Sequence, residues 1–126
     1  MDLFSTKIAR NKLNHNFKTI YTDPKLAPVR AVIQSWGRGL LERSGEQTKF
    51  INEFQTTFNS SMWELYLNEM FIRLGYSVDY TKDSPDFCVS TPLGYKFNVE
   101  AMVSDKPHKP PVSEIFSEAK FKHQST

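Results

Sequence analysis

A chain of 126 residues, 39% apolar with ten Phe, has the length and the apolar content for one packed domain, which excludes a disordered polymer. The net charge is only +2, but residues 1–41 carry seven Lys/Arg against two Asp/Glu, residues 42–100 five against nine, and residues 101–126 four against three. A basic arm beside an acidic centre suits phosphate contacts around a cation-binding site, and it equally suits solvated helix faces.

No apolar run approaches the roughly 20 residues needed to cross a bilayer, so a soluble chain with no membrane partner is expected. The start, "MDLFSTKIARNKLNHNFK", lacks the apolar centre of a secretory signal. A single cysteine, Cys88, permits no internal disulfide and fits a reducing cytoplasm.

In chain order, "TDPKLAPVRAVIQSWGRGLLER" offers Asp23 as an N-cap and Pro24 at the first helical position. Leu26, Val29, Ile33, Trp36, Leu40 and Leu41 then recur at helical spacing. "TKFINEFQTTFNSSMWELYLNEMFIRLG" continues the pattern through Phe50, Phe54, Phe58, Met62, Leu65 and Phe71, as one helix or as two joined near Asn59-Ser60-Ser61. Gly75 is a natural stop. Alternation predicts strands at Tyr76–Thr81, in "DFCVST" and in "YKFNVEAMV". "SDKPHKPP" reads as an irregular connector, and "VSEIFSEAKFKH" as a helix with Ile115, Phe116 and Phe121 near its apolar side. The domain is thus divided into a helical region 1–59, a helix-and-strand core 60–103, and a connector with a C-terminal helix 104–126.

"TPLGY" fits a three-residue Pro-Leu-Gly hairpin loop with Gly94 in the left-handed position. Pairing Thr91 with Tyr95 fixes a register in which Phe87 faces Val99 and Val89 faces Phe97 on one side. On the other side Cys88 faces Asn98, Ser90 faces Lys96, and Asp86 faces Glu100. Directly opposed carboxylates have β-carbons roughly 4.5–5.5 Å apart and destabilise a sheet, unless a proton or a divalent cation relieves them. Asp86 also has an ordinary reading, as turn chemistry in Ser-Pro-Asp.

The helix carrying "WELYLNEMFIRLG", then "YSVDYT", "PDF" and a strand ending "NVEAMV" resemble the PD-(D/E)xK nuclease superfamily over roughly Ser61 to Val103. The resemblance implies a restriction-endonuclease-like αβββα core of the α+β class, here with additional N-terminal helices and a three-stranded, mainly antiparallel sheet. It implies magnesium- or manganese-dependent cleavage of DNA phosphodiesters. Asp86 and Glu100 would bind the metal with the Ala101 main-chain carbonyl, and Glu64 would serve as an auxiliary carboxylate. The family lysine should stand at position 102, which is Met102. Lys96 shares the correct face but lies roughly 13 Å from Glu100 along the strand. Lys106 and Lys82 are the remaining substitutes nearby, of which Lys106 is placed with the catalytic set. Met102 and the apparent lack of a fourth strand point equally to a noncatalytic binding or assembly module of the same fold.

Other features carry simpler readings. "SMWE" fits a capping box from Ser61 to Glu64. His15, His108 and His123 lack zinc spacing, and Trp36 and Trp63 belong to helical patterns as core. A sheet that stops after three strands leaves an exposed edge or face, and predicts a homodimer.

Overall fold

The computed structural model describes residues 2–43, 47–81, 86–103 and 120–125, the last of these as backbone. The chain divides into two compact units, Met1–Glu69 and Met70–Thr126, each described by itself.

The first unit is helical. Helix α1, His15–Thr22, begins where Asn14 Oδ1 accepts from the Asn16 and Phe17 amides at 2.8 and 3.2 Å, satisfying donors that the first turn leaves unpaired. Sequence patterning does not single this helix out. Asp23 does act as a cap: its carboxylate accepts from the Lys25 amide at 2.9 Å and starts a short 3-10 turn, Pro24–Leu26. Helix α2, Ala27–Ser35, follows directly and ends before Gly37. Ile33, Leu40 and Leu41 are buried, whereas Val29 is 40% exposed, so the expected stripe is buried only toward its C-terminal end. Trp63 is buried and Trp36 half-buried.

Helices α3, Gln47–Thr56, and α4, Asn59–Arg73, are separate. The chain turns between them at Phe58, which has φ 65° and is the one non-glycine in the left-handed region among the described residues. Its buried ring lies 5.2 Å from that of Phe54, so core packing holds a backbone conformation that costs a residue with a β-carbon about 1–2 kcal/mol. Ser61 is therefore buried inside α4 rather than at its start, and the capping-box reading of "SMWE" falls. Around this break Phe54 packs edge-on against Phe17 and Phe4, each at 5.6 Å, while Phe4 and Phe17 stack at 5.7 Å.

The second unit opens with the last turn of α4, which stops at Gly75 with φ 77°. Four strands follow in a sheet of order β1-β2-β3-β4: β1 Ser77–Val78, β2 Phe87–Ser90, β3 Lys96–Met102 and β4 Lys120–Ser125. Every neighbouring pair is antiparallel. Strand β1 is shorter than the alternation predicts. After the Asp79 amide donates to Cys88 O at 2.9 Å, the Asp79 carboxylate accepts from Thr81 N and Oγ1 at 3.0 and 2.6 Å, turning the chain out of the ladder.

The β2–β3 hairpin has the expected register: Phe87 pairs with Val99, Cys88 with Asn98, Val89 with Phe97 and Ser90 with Lys96. Gly94, φ 91°, closes the loop, with its amide donating to Thr91 O at 2.9 Å and Thr91 N donating to Tyr95 O at 2.8 Å. Phe87, Val89 and Val99 are buried on one face, where the Phe71 ring meets Phe87 edge-on at 5.3 Å and Phe97 at 6.4 Å.

Strand β4 corrects two expectations. The sheet continues past three strands, and residues 120–125 are extended rather than the end of a C-terminal helix. The outer edge of β3 carries amide and carbonyl groups that need partners, and "KFKHQS" alternates in a way that lets it supply them. Residues 104–119, which include Lys106, Ile115 and Phe116, lie outside the described residues.

Candidate functional site

The constant-sum register runs through Phe87 and Val99, and the next positions outward are Asp86 and Glu100. Side chains alternate along β3, so Glu100 belongs to the face opposite buried Val99, while Asp86 stands in the bend just before β2. Glu100 is exposed and Asp86 half-buried. Met102, two residues beyond Glu100 on the same face, is 43% exposed.

Asp86 has a defined job. Counting in twos from the Thr91–Tyr95 bond, Phe97, Val99 and Ala101 turn their amides toward β2. The outermost pair among the described residues is Phe87 with Val99, and the Ala101 amide donates to Asp86 Oδ2 at 3.0 Å. A side-chain oxygen thereby takes the place of a strand carbonyl and locks the Asp86 carboxylate at the end of β3. The Ala101 carbonyl leaves the strand on the same side as its amide, toward Asp86.

Two carboxylates and a main-chain carbonyl are hard oxygen donors. Mg²⁺ is commonly held by one or two carboxylates and keeps several of its waters, so this donor set fits it. Among the described residues no three or more His, Cys, Asp or Glu side chains gather for a metal ion, which rules out a closed zinc-type cage formed by them. Glu64 lies half-buried within α4, in the first unit. Lys106, Lys82 and Pro85 lie outside the described residues. Lys96 is exposed at the far end of β3, opposite Ser90.

Two positions that sequence reasoning did not single out stand on β4. The register sets Lys122 opposite Glu100 and Lys120 opposite Met102. The signal that could have found them is the alternation Lys-Phe-Lys-His, which a helical reading of "SEAKFKH" absorbed. Asn68 and Glu69 were likewise missed. Asn68, fully buried, donates from Nδ2 to the Trp36 and Arg38 carbonyls at 2.8 Å each, and Glu69 accepts from Arg38 at 2.7 Å. Both tie the turn after α2 to α4.

No family model, curated protein or solved structure matches this chain.

Proposed function

We propose that the chain is a divalent-metal-dependent, nuclease-like protein that binds DNA and acts on its phosphodiester bonds, with Asp86 and Glu100 holding Mg²⁺ or Mn²⁺. The observation that supports this reading is the hydrogen bond from the Ala101 amide to Asp86 Oδ2 at 3.0 Å, which holds one carboxylate against the residue that follows Glu100 on β3. The resemblance of the helix, the β-meander and the Asp86 and Glu100 positions to PD-(D/E)xK nucleases supports the same chemistry. Bound there, the ion would supply an activated water and neutralise charge developing on the phosphate. The protein's own part would be positional: the Ala101 amide holds Asp86, and Glu100 precedes Ala101 on β3. Glu64 enters only through the resemblance, and the reading stands on Asp86 and Glu100 alone.

Thermal melting with and without metal tests this directly. Binding confined to the folded state contributes about 2.7 kcal/mol at a hundredfold excess over Kd, enough to raise the melting temperature by several degrees. Glu100→Ala and Asp86→Asn should abolish both the shift and metal-dependent nicking of supercoiled DNA. An unchanged shift in both variants would refute the assignment.

A second reading, a noncatalytic binding or assembly module, is favoured by Met102, an exposed thioether where the resembling family carries lysine. Metal-dependent stabilisation without nicking would select it. Either reading includes a homodimer, because duplex DNA suits a two-fold partner and β4 is last in the sheet order.

A further inference from the structure

In the first unit, residues 3–22 contain Lys7, Arg10, Lys12 and Lys18 and no Asp or Glu. The two acidic residues of the first 41 flank this stretch and are engaged with backbone. Asp2 Oδ1 accepts from the Phe4 amide at 2.8 Å, and Asp23 Oδ1 from the Lys25 amide at 2.9 Å. Two other cations of the unit also have structural partners. Arg30 donates to the Ile20 and Asp23 carbonyls at 2.7 and 3.0 Å, and Arg38 pairs with Glu69 at 2.7 Å. Lys7, Arg10 and Lys12 differ: they are exposed, and among the described residues no acidic side chain pairs with them. Like charges at such spacing repel one another, and a surface of one sign concentrates a ligand of the other.

The backbone beneath them is held in place. Leu13 and Phe17 are buried, and Ile8 packs against the same core. The Ile8 amide donates to Thr6 Oγ1 at 3.0 Å, the Lys12 amide to the Ala9 carbonyl at 2.9 Å, and the Asn14 amide to the Gln55 carbonyl at 2.8 Å. Arg10 and Lys12 share one 3-10 turn, Arg10–Lys12. A polyanion therefore meets these charges on an ordered segment, and little chain entropy is lost on docking.

The surroundings of the cations select among polyanions. Charges strung along the chain match a row of negative groups, and the exposed Asn11 and Asn16 between and beside them are of a type that hydrogen-bonds phosphate and sugar. A lipid surface takes up an amphipathic segment through an apolar face, whereas Leu13 and Phe17 are turned into the core. Single strands are gripped by stacking bases on aromatic rings, and Phe17, the one ring of residues 7–18, is fully buried. Duplex DNA needs neither, and carries one negative charge per about 1.7 Å of its axis.

We infer that Lys7, Arg10 and Lys12 form a docking surface for the phosphate backbone of duplex DNA. This surface uses neither Asp86 nor Glu100. It shares its ligand with the proposed function but stands on the charge distribution of the first unit, so each can fail without the other.

The experiment measures binding of a fluorescently labelled short DNA duplex to the full chain by anisotropy, over a potassium chloride series in EDTA. Each cation that contacts a phosphate contributes about 0.9 to the slope of log K against log salt. Lys7→Gln, Arg10→Gln and Lys12→Gln should each flatten the slope by about that amount, and Arg10→Lys should keep it. Two duplexes of unrelated sequence should give the same slope, because phosphate contacts carry no sequence information. Lys49→Gln removes an equal charge from α3, where Glu53 stands four residues on, and should leave the slope as in the wild type. Equal flattening by Lys49→Gln would reveal a general effect of net charge and overturn the surface. Wild-type slopes in all three variants, or tighter binding to phosphatidylserine vesicles than to DNA, would overturn it too.

A second readout needs no variant. Bound duplex should protect Lys7 and Lys12 from acetylation by an amine-reactive ester, read by mass spectrometry, while Lys49 is modified as in the free protein. Equal modification of Lys7 and Lys12 with and without DNA would count against the surface. Metal-dependent nicking with unaltered slopes in the three variants would leave the proposed function standing and remove this inference. Flattened slopes in a protein that shows neither nicking nor a metal shift would do the reverse.

Discussion

Gln55 illustrates how much one side chain can organise. It is 1% exposed on α3, and its Nε2 donates to the Leu3 and Ser5 carbonyls at 2.9 and 3.0 Å, while its own carbonyl accepts from the Asn14 amide at 2.8 Å. Leu3 is fully buried, and its amide donates to Gln34 Oε1 at 2.8 Å. Two glutamines thus pin the N-terminal segment onto the helices by satisfying its backbone. A buried polar group left without a partner costs about 1–3 kcal/mol. Gln55→Met keeps the volume and removes the donor. It should lower unfolding stability by that order in urea titration, with earlier proteolysis near residues 2–6. Unchanged stability would mean that water replaces the amide. In the sequence, "EFQTT" offers nothing to distinguish Gln55 from a solvated residue, because its partners lie 50 and 52 positions away.

Among the elements, the β2–β3 hairpin is the most locally determined. Its loop chemistry sets the register, and the register sets which residues meet on the polar face. Gly94 has φ 91°, and an added β-carbon there would meet nothing within 4 Å. Gly94→Ala therefore tests backbone conformation without a steric clash. It should cost about 1–2 kcal/mol, and Gly94→Asn less, because Asn enters the left-handed region more readily. Equal stability of all three proteins in chemical denaturation would show that the loop does not hold the register. Strand β4 is the opposite case. Its residues satisfy a helical pattern as well as an extended one, and the open edge of β3 decides between them.

For the whole molecule, the reason to expect self-association has moved. The outer edge of β3 is paired with β4, so any free strand edge on that side belongs to β4, six residues long against two in β1 at the other end of the order. A six-residue edge is a template for a second strand, although the lysines of "KFKH" are of the kind that discourage such pairing. A two-fold homodimer joined through β4 should give twice the 14.6 kDa chain mass in light scattering. Replacing His123 with proline, which removes an amide donor from the outer edge of β4, should return the mass to one chain. A single-chain mass at high concentration would reject the dimer. Among the described residues no helix is long and apolar enough to cross a membrane.

The sequence by itself determined what short-range chemistry controls. The Asp23 cap, the stop at Gly75, the Pro-Leu-Gly turn and the four hairpin pairs each depend on residues within a few positions of one another. From them followed the placement of Asp86 and Glu100 next to the hairpin pair Phe87 with Val99. Tertiary structure decided the rest. The break at Phe58 exists because its ring is buried against Phe54, and a left-handed backbone at Phe carries no local signal. The hydrogen bond from Ala101 to Asp86 spans 15 positions, beyond the reach of local patterning. The register of β4 on β3, Lys122 with Glu100 and Lys120 with Met102, joins positions some 20 residues apart in the chain, which no local periodicity encodes. Strand pairing over such separations is selected by the groups an edge leaves unsatisfied, and those groups exist only once the first strands have come together.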